Sequence, residues 1–415
     1  MTQKLKALVI GASERGHALR SNSKLIDIKA IADIDPIRRD SFAKSYNIPK
    51  EMTFSDGREP LNKGLDVDFV YVATNDKSHR DLAVTALENG YNLLLEKPIA
   101  SSPQGCIDIV EAYKKSGKTM SIFHVLRYAP FFQGIKKEIV SKDIGDIEQI
   151  DLTEEVGYWH FAHSYVRGNW KNEHESGPII LTKSCHDLDL LVWLSESKPE
   201  AVSSKGSLKF FRKENAPEGA LERCTKGCPV KNCLYDAREF YPKGDSTKFP
   251  FKNVCIGSQT KGSLKKAIQT SNYGVCVFNG DNDVLDNQEV DIVFENGVKA
   301  NFSLRRGGPD MTRKIRVYGT QGMLDGELIS GGLTKTIYSG KKGEDKIEHI
   351  SFGNLGGHGG GDPLLVGEFI EAVRTGKPIL TSPEESLYSH LTAFAAEESR
   401  KSDKIVSFDN YLKSL

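Results

Sequence analysis

Lys97 stands in the segment Glu96-Lys97-Pro98, directly after the apolar run at residues 92–95. A lysine ammonium held at a strand end can polarise a substrate oxygen and stabilise developing negative charge, or relay a proton if burial lowers its pKa. An ion pair with Glu96 is the structural alternative, but neighbouring residues on a strand face opposite sides, which argues against direct pairing. Lys97 is therefore a candidate for catalysis, and Glu96 and Lys97 are candidate cofactor contacts.

A glycine-containing turn follows the first apolar run and matches the pattern G-x-G-x-x-G, with Ser13 at the middle glycine position. Serine is small, and its hydroxyl can itself bind a phosphate. Asp33 closes the second apolar run, where a carboxylate would bind a ribose 2′-hydroxyl and favour NAD, although it can also be a solvated turn acid. Arg38 and Arg39 can accommodate the extra phosphate of NADP. The predicted cofactor contacts of this region are Gly11, Ala12, Ser13, Arg15, Gly16 and Asp33.

A polar loop, residues 73–79, follows the third apolar run. Open α/β sheets bind ligands at the carboxyl ends of their strands, so Thr74, Asn75 and His79 are predicted to contact the second ribose or the nicotinamide. Ser78 can instead cap the helix that begins at His79.

Two domains are predicted, because a chain of 415 residues exceeds what one hydrophobic core usually supports. In residues 1–125, apolar runs at 6–10, 25–32, 69–73 and 92–95 alternate with helical stretches at 39–46, 79–89 and 103–116. This pattern is typical of an α/β domain with a doubly wound parallel sheet, the Rossmann arrangement.

Residues 126–415 show longer strands, such as 290–294 and 298–304, in which polar and apolar residues partly alternate. They predict an α+β domain with a large, mostly antiparallel open sheet. Residues 205–262 lack a period and are rich in Lys, Gly, Pro and Cys, which indicates an insertion. We expect the C-terminal helical region, residues 363–400, to pack back on the first domain.

The charge balance restricts the partners. Lys+Arg and Asp+Glu number 56 each, which leaves no net field to attract nucleic acid or an anionic membrane. The sequence contains neither a signal-type apolar region at its start nor a run of about 18 apolar residues. These features predict a cytoplasmic protein with a small-molecule substrate.

The seven cysteines divide into two groups. Cys106, Cys185 and Cys276 stand singly and are expected to be buried thiols. The other four lie in the insertion, where a structural zinc would anchor a segment without a core of its own, with packing thiols as the alternative. The predicted zinc ligands are Cys224, Cys228, Cys233 and Cys255.

The segment Glu96-Lys97-Pro98, preceded by residues 72–75 and His79, resembles the Gfo/Idh/MocA family of oxidoreductases, named for glucose-fructose oxidoreductase and inositol dehydrogenase. The resemblance extends over nearly the whole chain. It includes the turn at residues 11–16 and the segments at 127–130, 185–191, 319–322 and 383–386.

The resemblance implies that Lys97 lies beside the nicotinamide and that His186 acts as the acid/base. Histidine suits this role, since hydride transfer from a carbinol requires a base near the hydroxyl. Many members carry an aspartate four residues before this histidine, where this chain has Thr182. Lys183 or Asp187 can take its place, and Lys183 is the stronger candidate because it shares a helix face with His186.

Substrate contacts are expected where aromatic faces and polar tips concentrate, since such surfaces bind sugars; an interdomain packing patch is the alternative. The glycine-rich loop at residues 356–362 adds His358 and Asp362 as rim candidates. The predicted substrate contacts are Arg127, Tyr128, His160, His163, Arg167, Trp170 and His186.

These features predict an NAD(P)-dependent dehydrogenase or reductase acting on a carbinol or ketone of a sugar, sugar derivative or cyclitol. An NAD-dependent enzyme that cleaves glycosides through transient oxidation is one alternative, and a dinucleotide-binding sensor without turnover is another. The resemblance also implies a homodimer or homotetramer formed through the open sheet face.

Overall fold

The computed structural model describes residues 3–246, 248–255, 260–356 and 358–415. The predicted insertion at 205–262 is therefore described except at residue 247 and at residues 256–259, which lie outside those ranges.

Six strands form the first sheet: β1 (Leu5–Ile10), β2 (Ile26–Ala32), β3 (Thr53–Phe54), β4 (Phe69–Val72), β5 (Asn92–Leu95) and β6 (Met120–Ile122). Their order is β3-β2-β1-β4-β5-β6, and every neighbouring pair is parallel. β4 is buried along its whole length, as in sheets covered on both faces. The predicted doubly wound parallel sheet is confirmed.

Four α-helices accompany this sheet: α1 (Pro36–Tyr46), α2 (Arg58–Asn62), α3 (His79–Glu88) and α4 (Pro103–Ser116). The side chain of Ser102 caps α4 by accepting from the amide of Gly105, and Pro103 occupies the first turn. The glycine-containing turn leads into a 3₁₀-helix, Arg15–Asn22. The strand ends at residues 11, 73 and 96 thus share one edge of the sheet.

The second domain is built on a nine-stranded sheet. Its strands are β7 (Ile147–Gly157), β8 (Pro199–Ser207), β9 (Asn287–Phe294), β10 (Lys299–Gly308), β11 (Thr312–Gly319), β12 (Gly322–Glu327), β13 (Gly332–Ile337), β14 (Lys346–Ser351) and β15 (Val406–Ser407). The order is β14-β13-β12-β11-β7-β10-β9-β8-β15, and only β7 and β10 pair in parallel. Buried and exposed residues alternate along β9, which leaves one face of the sheet open. The predicted mostly antiparallel open sheet is confirmed.

The helices of this domain are α5 (Pro130–Ser141), α6 (Tyr158–Phe161), α7 (Glu173–Ser176), α8 (Ile179–Thr182), α9 (Cys185–Ser195), α10 (Ala237–Phe240), α11 (Lys261–Thr270), α12 (Gly361–Thr375), α13 (Pro383–Ser402) and α14 (Phe408–Ser414). A π-helical turn, Ala162–Val166, follows α6. None of the helices in the described ranges combines the length and the apolar character needed to cross a membrane.

The excursion between β8 and β9 spans residues 208–286 and is longer than the predicted insertion. It has a small apolar cluster of its own, formed by Cys224, Ala237, Tyr241, Val254, Leu264 and Ile268. From it, Lys252 Nζ reaches Glu14 Oε1 in the glycine-containing turn at 2.7 Å. The excursion therefore contacts both domains.

Arg127 anchors the junction between the domains. Its side chain is fully buried, and its Nε lies 2.7 Å from Asp189 Oδ2 on α9. A second carboxylate, Glu385, lies 3.2 Å from Nη1 but is 62% exposed. On α13, His390 Nε2 accepts from the amide of Ile99 in the first domain at 2.9 Å. The His390 contact holds the second domain against the first. The Arg127–Asp189 pair fixes the segment that follows β6 to α9, at the point where the chain enters the second domain.

Asp189→Ala tests this anchor. Removing the buried partner leaves the Arg127 charge uncompensated, so the free energy of unfolding should fall by about 3 kcal/mol. The matched variant Glu385→Ala removes the exposed partner and should lower it by less than about 1 kcal/mol. Urea unfolding followed by circular dichroism measures both variants, and equal effects would contradict the anchor.

Candidate active site

Two glycines fix the turn after β1. Gly11 has φ +105°, and a Cβ there would lie 2.3 Å from the carbonyl oxygen of Ala73. A Cβ on Gly16 would lie 2.0 Å from the carbonyl oxygen of Gly11. No side chain fits at either position, so the backbone of the turn lies close to the neighbouring strand end. Ser13, between them, is half-buried.

The carboxylate of Asp33 lies against this turn. Its Oδ2 accepts from the amide of Ala12 at 2.6 Å, and its Oδ1 accepts from the amide of Asp35 at 2.8 Å. These bonds hold the side chain at the end of β2, beside the turn, where the predicted ribose contact requires it.

The guanidinium of Arg15 lies between two carboxylates, those of Glu96 and Asp362. Nε donates to Glu96 Oε1 at 2.6 Å, and Nη1 donates to Asp362 Oδ1 at 2.8 Å. Tyr71 OH donates to the same oxygen of Glu96 at 2.8 Å. The side chains of Arg15 and Glu96 thus brace the strand ends, and their predicted cofactor contacts stay a prediction.

The loop after β4 contains both hydrogen-bonded and solvent-exposed side chains. His79 is buried, and its Nδ1 donates to the carbonyl of Pro98 at 2.7 Å. Thr74 Oγ1 accepts from Ser78 Oγ at 2.8 Å, whereas Asn75 is exposed. The loop is therefore tied to the segment that carries Lys97.

Asp76, in the same loop, was missed by the sequence analysis. It is 5% exposed, and within the described part of the chain its Oδ2 has no hydrogen-bond partner. Burial raises the pKa of this carboxyl, although His79 and Lys97 oppose the shift. Its position, an acidic residue in a polar loop at a strand end, was the sequence feature that could have identified it as a candidate site residue.

Lys97 reaches across to the second domain. Its Nζ donates to the carbonyl oxygen of Thr182, the last residue of α8, at 2.8 Å. His186 lies in the first turn of α9 and is 5% exposed. The structure thus brings Lys97 and His186, from different domains, to one edge of the first sheet.

His186 is held as a neutral imidazole. Its pKa is lowered well below the ordinary value, first by burial and then by the positive charge of Lys97, and the neighbouring His124, His358 and Arg313 act in the same direction. Among the residues that the structure describes, no group forms a hydrogen bond with its Nδ1. A neutral, poorly solvated imidazole can accept a proton from a bound hydroxyl.

Lys183 belongs to a buried charge cluster behind His186. Its Nζ lies 3.0 Å from Glu154 Oε1, which also accepts from Arg313 Nη2 at 2.6 Å. Arg313 Nε donates to Asp187 at 2.7 Å. Burial lowers the pKa of Lys183, whereas Arg313 and Lys183 outweigh burial and lower the pKa of Glu154. Glu154 and Arg313 were missed, because single charged residues in strands look like solvated face positions.

Aromatic side chains form one wall beside these groups. His160 and Trp159 both lie against Phe249 of the excursion, with ring centroids 5.1 Å and 6.1 Å away. His163 stacks on Tyr273 at 4.8 Å. Burial lowers the pKa of His160 and of His163 to about 3, so both rings are neutral. The excursion therefore supplies part of this wall.

Three predicted substrate contacts have their polar atoms occupied by protein. Arg127 binds Asp189, and Tyr128 OH donates to Glu368. Arg167 donates to the carbonyls of Val275 and Tyr235 at 2.8 Å each. Trp170, by contrast, is 36% exposed. Substrate binding by Arg127, Tyr128 and Arg167 stays a prediction, while their observed contacts hold the fold.

The predicted zinc site is not supported. Across residues 3–246, 248–255, 260–356 and 358–415, no three His, Cys, Asp or Glu side chains form a group that could hold a metal ion. Cys255 Sγ donates to Ser263 Oγ at 3.5 Å, and Cys224 Sγ accepts from Arg167 at 3.6 Å. Cys276 lines a small cavity with Cys224, Cys228 and Cys233 in place of the fourth predicted ligand. The excursion is stabilised by its apolar cluster and by Arg167.

Known proteins resemble this chain over both domains. Residues 5–124 match the Gfo/Idh/MocA oxidoreductase family in its NAD-binding Rossmann fold, and residues 136–408 match its C-terminal alpha/beta domain. The protein YteT of Bacillus subtilis (strain 168), named as an oxidoreductase, is 26% identical over 359 residues, which cover 82% of this chain and 81% of that protein. Inositol 2-dehydrogenase of Serratia proteamaculans (strain 568) is 28% identical over 246 residues, covering 57% of this chain and 69% of that enzyme.

Among solved structures, levoglucosan dehydrogenase in complex with NADH and L-sorbose shares the fold with a TM-score of 0.74, at 18% identity over 98% of this chain and 99% of that one. Since the two family matches cover both domains, the chain belongs to the Gfo/Idh/MocA family of oxidoreductases with an NAD-binding Rossmann fold.

Proposed function

We propose that this protein is an NAD-dependent dehydrogenase or reductase that acts on a carbinol or ketone of a sugar, sugar derivative or cyclitol. The observation that carries the proposal is the meeting of Lys97 and His186 at the carboxyl edge of the first sheet. The Lys97–Thr182 hydrogen bond of 2.8 Å ties the lysine to the segment that leads into His186.

The residues at the sheet edge fit a dinucleotide. The turn at residues 11–16 leads into the 3₁₀-helix Arg15–Asn22, and the start of a helix suits a pyrophosphate. Asp33 would hold the adenosine ribose and disfavour a 2′-phosphate. Thr74, Asn75 and the buried Asp76 would lie toward the other end of the coenzyme. When bound, the nicotinamide supplies the hydride acceptor or donor.

The hydroxyl proton of the carbinol is accepted by side chains of the protein. For oxidation, the neutral imidazole of His186 accepts the hydroxyl proton. The Lys97 ammonium polarises the same oxygen and stabilises its developing negative charge. Lys183 is a further candidate for the proton, since burial lowers its pKa, but its amine is paired with Glu154.

Two observations support the substrate class: the aromatic wall beside the candidate site and the names of the related proteins. Trp159 and His160 present rings beside neutral polar atoms, and such surfaces bind sugar C–H faces and hydroxyls. Relatives of this chain are named for inositol and levoglucosan, both of them polyhydroxylated rings. We therefore favour a ring polyol.

A second candidate, cleavage of a glycoside through transient oxidation, has one observation in its favour. The Lys252–Glu14 contact of 2.7 Å brings the excursion over the glycine-containing turn. Such a cover suits an enzyme that retains its coenzyme between turnovers. Release of an aglycone without accumulation of NADH would identify that activity.

A substrate panel tests the proposal. The purified protein is offered sugars and cyclitols, with NAD or NADP, and reduced nicotinamide is followed by absorbance. We expect turnover of at least one ring polyol, and kcat/KM at least about 10-fold higher with NAD, because Asp33 and a 2′-phosphate repel each other. No reaction with any polyol, in either direction, would contradict the proposal.

Lys97→Met tests the catalytic lysine. Loss of the ammonium removes stabilisation of the developing oxyanion, so kcat should fall by about 100-fold or more while NADH still binds. Lys115→Met is the matched control, since Lys115 lies on α4 with its side chain 80% exposed. Activity of the Lys97 variant equal to that of the control would eliminate the catalytic role of the lysine.

The protonation of His186 can be followed directly. Because its pKa is lowered by burial and neighbouring positive charges, the ring should stay neutral as the pH falls through about 6.5, the ordinary histidine value. ¹⁵N NMR of histidine-labelled protein measures this, and His186→Gln assigns the signal. A ring that charges at or above that pH would exclude the neutral base.

A further inference from the structure

Four histidine rings lie in a row through the site. The ring centroids of His358 and His186 are 6.0 Å apart, those of His186 and His124 are 5.7 Å apart, and those of His124 and His390 are 5.2 Å apart. The row runs from the glycine-rich loop before α12, through the first turn of α9, to α13. His186 thus has one ring neighbour on each side.

The inner end of the row, His124 and His390, gives a proton on His186 no path to solvent. His390 Nε2 accepts from the amide of Ile99, and its Nδ1 donates to the carbonyl of Ser386 at 2.8 Å, so both nitrogens are occupied. His124 is fully buried, and in the described ranges neither of its nitrogens has a hydrogen-bond partner. Burial lowers the pKa of both rings, that of His390 to about 3.

The outer end of the row reaches solvent. The side chain of His358 is 39% exposed, and its Nδ1 donates to Asp362 Oδ2 at 2.8 Å. Burial would raise the pKa of Asp362, but the hydrogen bond and charge of His358, together with Arg15, hold it well below its ordinary value. The carboxylate is therefore ionised and can stabilise a positive charge on His358.

The two lysines near His186 each have a partner in the protein. Lys97 Nζ donates to the carbonyl of Thr182, and Lys183 Nζ lies against Glu154 Oε1. A proton placed on the buried His186 must leave it before the next turnover. His358 is the neighbouring ring with both a carboxylate partner and access to water.

We propose that His358 carries the substrate proton between His186 and solvent. This inference rests on the proposed function. In oxidation, the O–H bond of the carbinol breaks as an N–H bond forms on His186. That N–H bond then breaks as one forms on His358, directly or through a water molecule, and His358 releases the proton to bulk water. No electrons move in the relay, and the hydride leaves separately for the nicotinamide.

His358→Ala, assayed with a polyol that the wild-type protein turns over, tests the relay. We expect kcat to fall at least about 10-fold, with KM and the Kd for NADH changed by less than about twofold. Added imidazole should restore kcat in proportion to its concentration, and should not do so for Lys97→Met. His358→Gln, which preserves more of the side-chain volume, should show the same loss.

Two further variants show whether the loss of kcat is specific to His358. Asp362→Asn keeps the ring but weakens its carboxylate partner, and should lower kcat less than His358→Ala does. His349→Ala, on β14 and exposed, is the matched control and should match the wild type. Unchanged kcat in His358→Ala, or a loss that imidazole does not restore, would overturn the relay while leaving the proposed function intact. A wild-type protein without polyol turnover would overturn both.

Discussion

The hydrogen bond from Lys97 Nζ to the carbonyl oxygen of Thr182 joins a strand end of the first domain to the helix pair of the second. The candidate site depends on this junction, because neither domain carries both Lys97 and His186. His390, bonded to the amide of Ile99, holds the same boundary, and Arg127, buried against Asp189, fixes the segment where the chain enters the second domain. The geometry of the candidate site is thus a property of the packing between domains.

Charge is arranged around that junction in two buried groups. Arg15, Glu96 and Asp362 lie at the strand ends of the first sheet, whereas Glu154, Asp187, Lys183 and Arg313 form a cluster in the second domain. Each acid in these groups has a basic partner, which is the condition under which charges are tolerated inside a protein. Burial, followed by the charge of Lys97, lowers the pKa of His186 and keeps its ring neutral, and a neutral ring can accept a proton.

Much of the fold follows from local patterns. The apolar runs of β1, β2, β4 and β5 and the alternation in β9 were visible in the sequence, because burial on two faces or one leaves different periods. The short strands β3 and β6 carry too few residues to show a period. Contacts between residues far apart in the sequence were harder to predict. The sequence did not indicate that the guanidinium of Arg127 is paired with Asp189. The cysteine spacing, likewise, did not reveal that Cys276 lines the small cavity with Cys224, Cys228 and Cys233.

Transfer of deuterium tests the central claim most directly. A ring polyol that the enzyme oxidises, labelled with deuterium at the reacting carbinol carbon, is incubated with NAD, and the reduced coenzyme is examined by mass spectrometry and proton NMR. Direct hydride transfer at the site of Lys97 and His186 predicts one deuterium at the nicotinamide C4 position, formed by the wild-type protein and almost absent with Lys97→Met. Reduced coenzyme without deuterium, or equal labelling by the variant, would contradict the account.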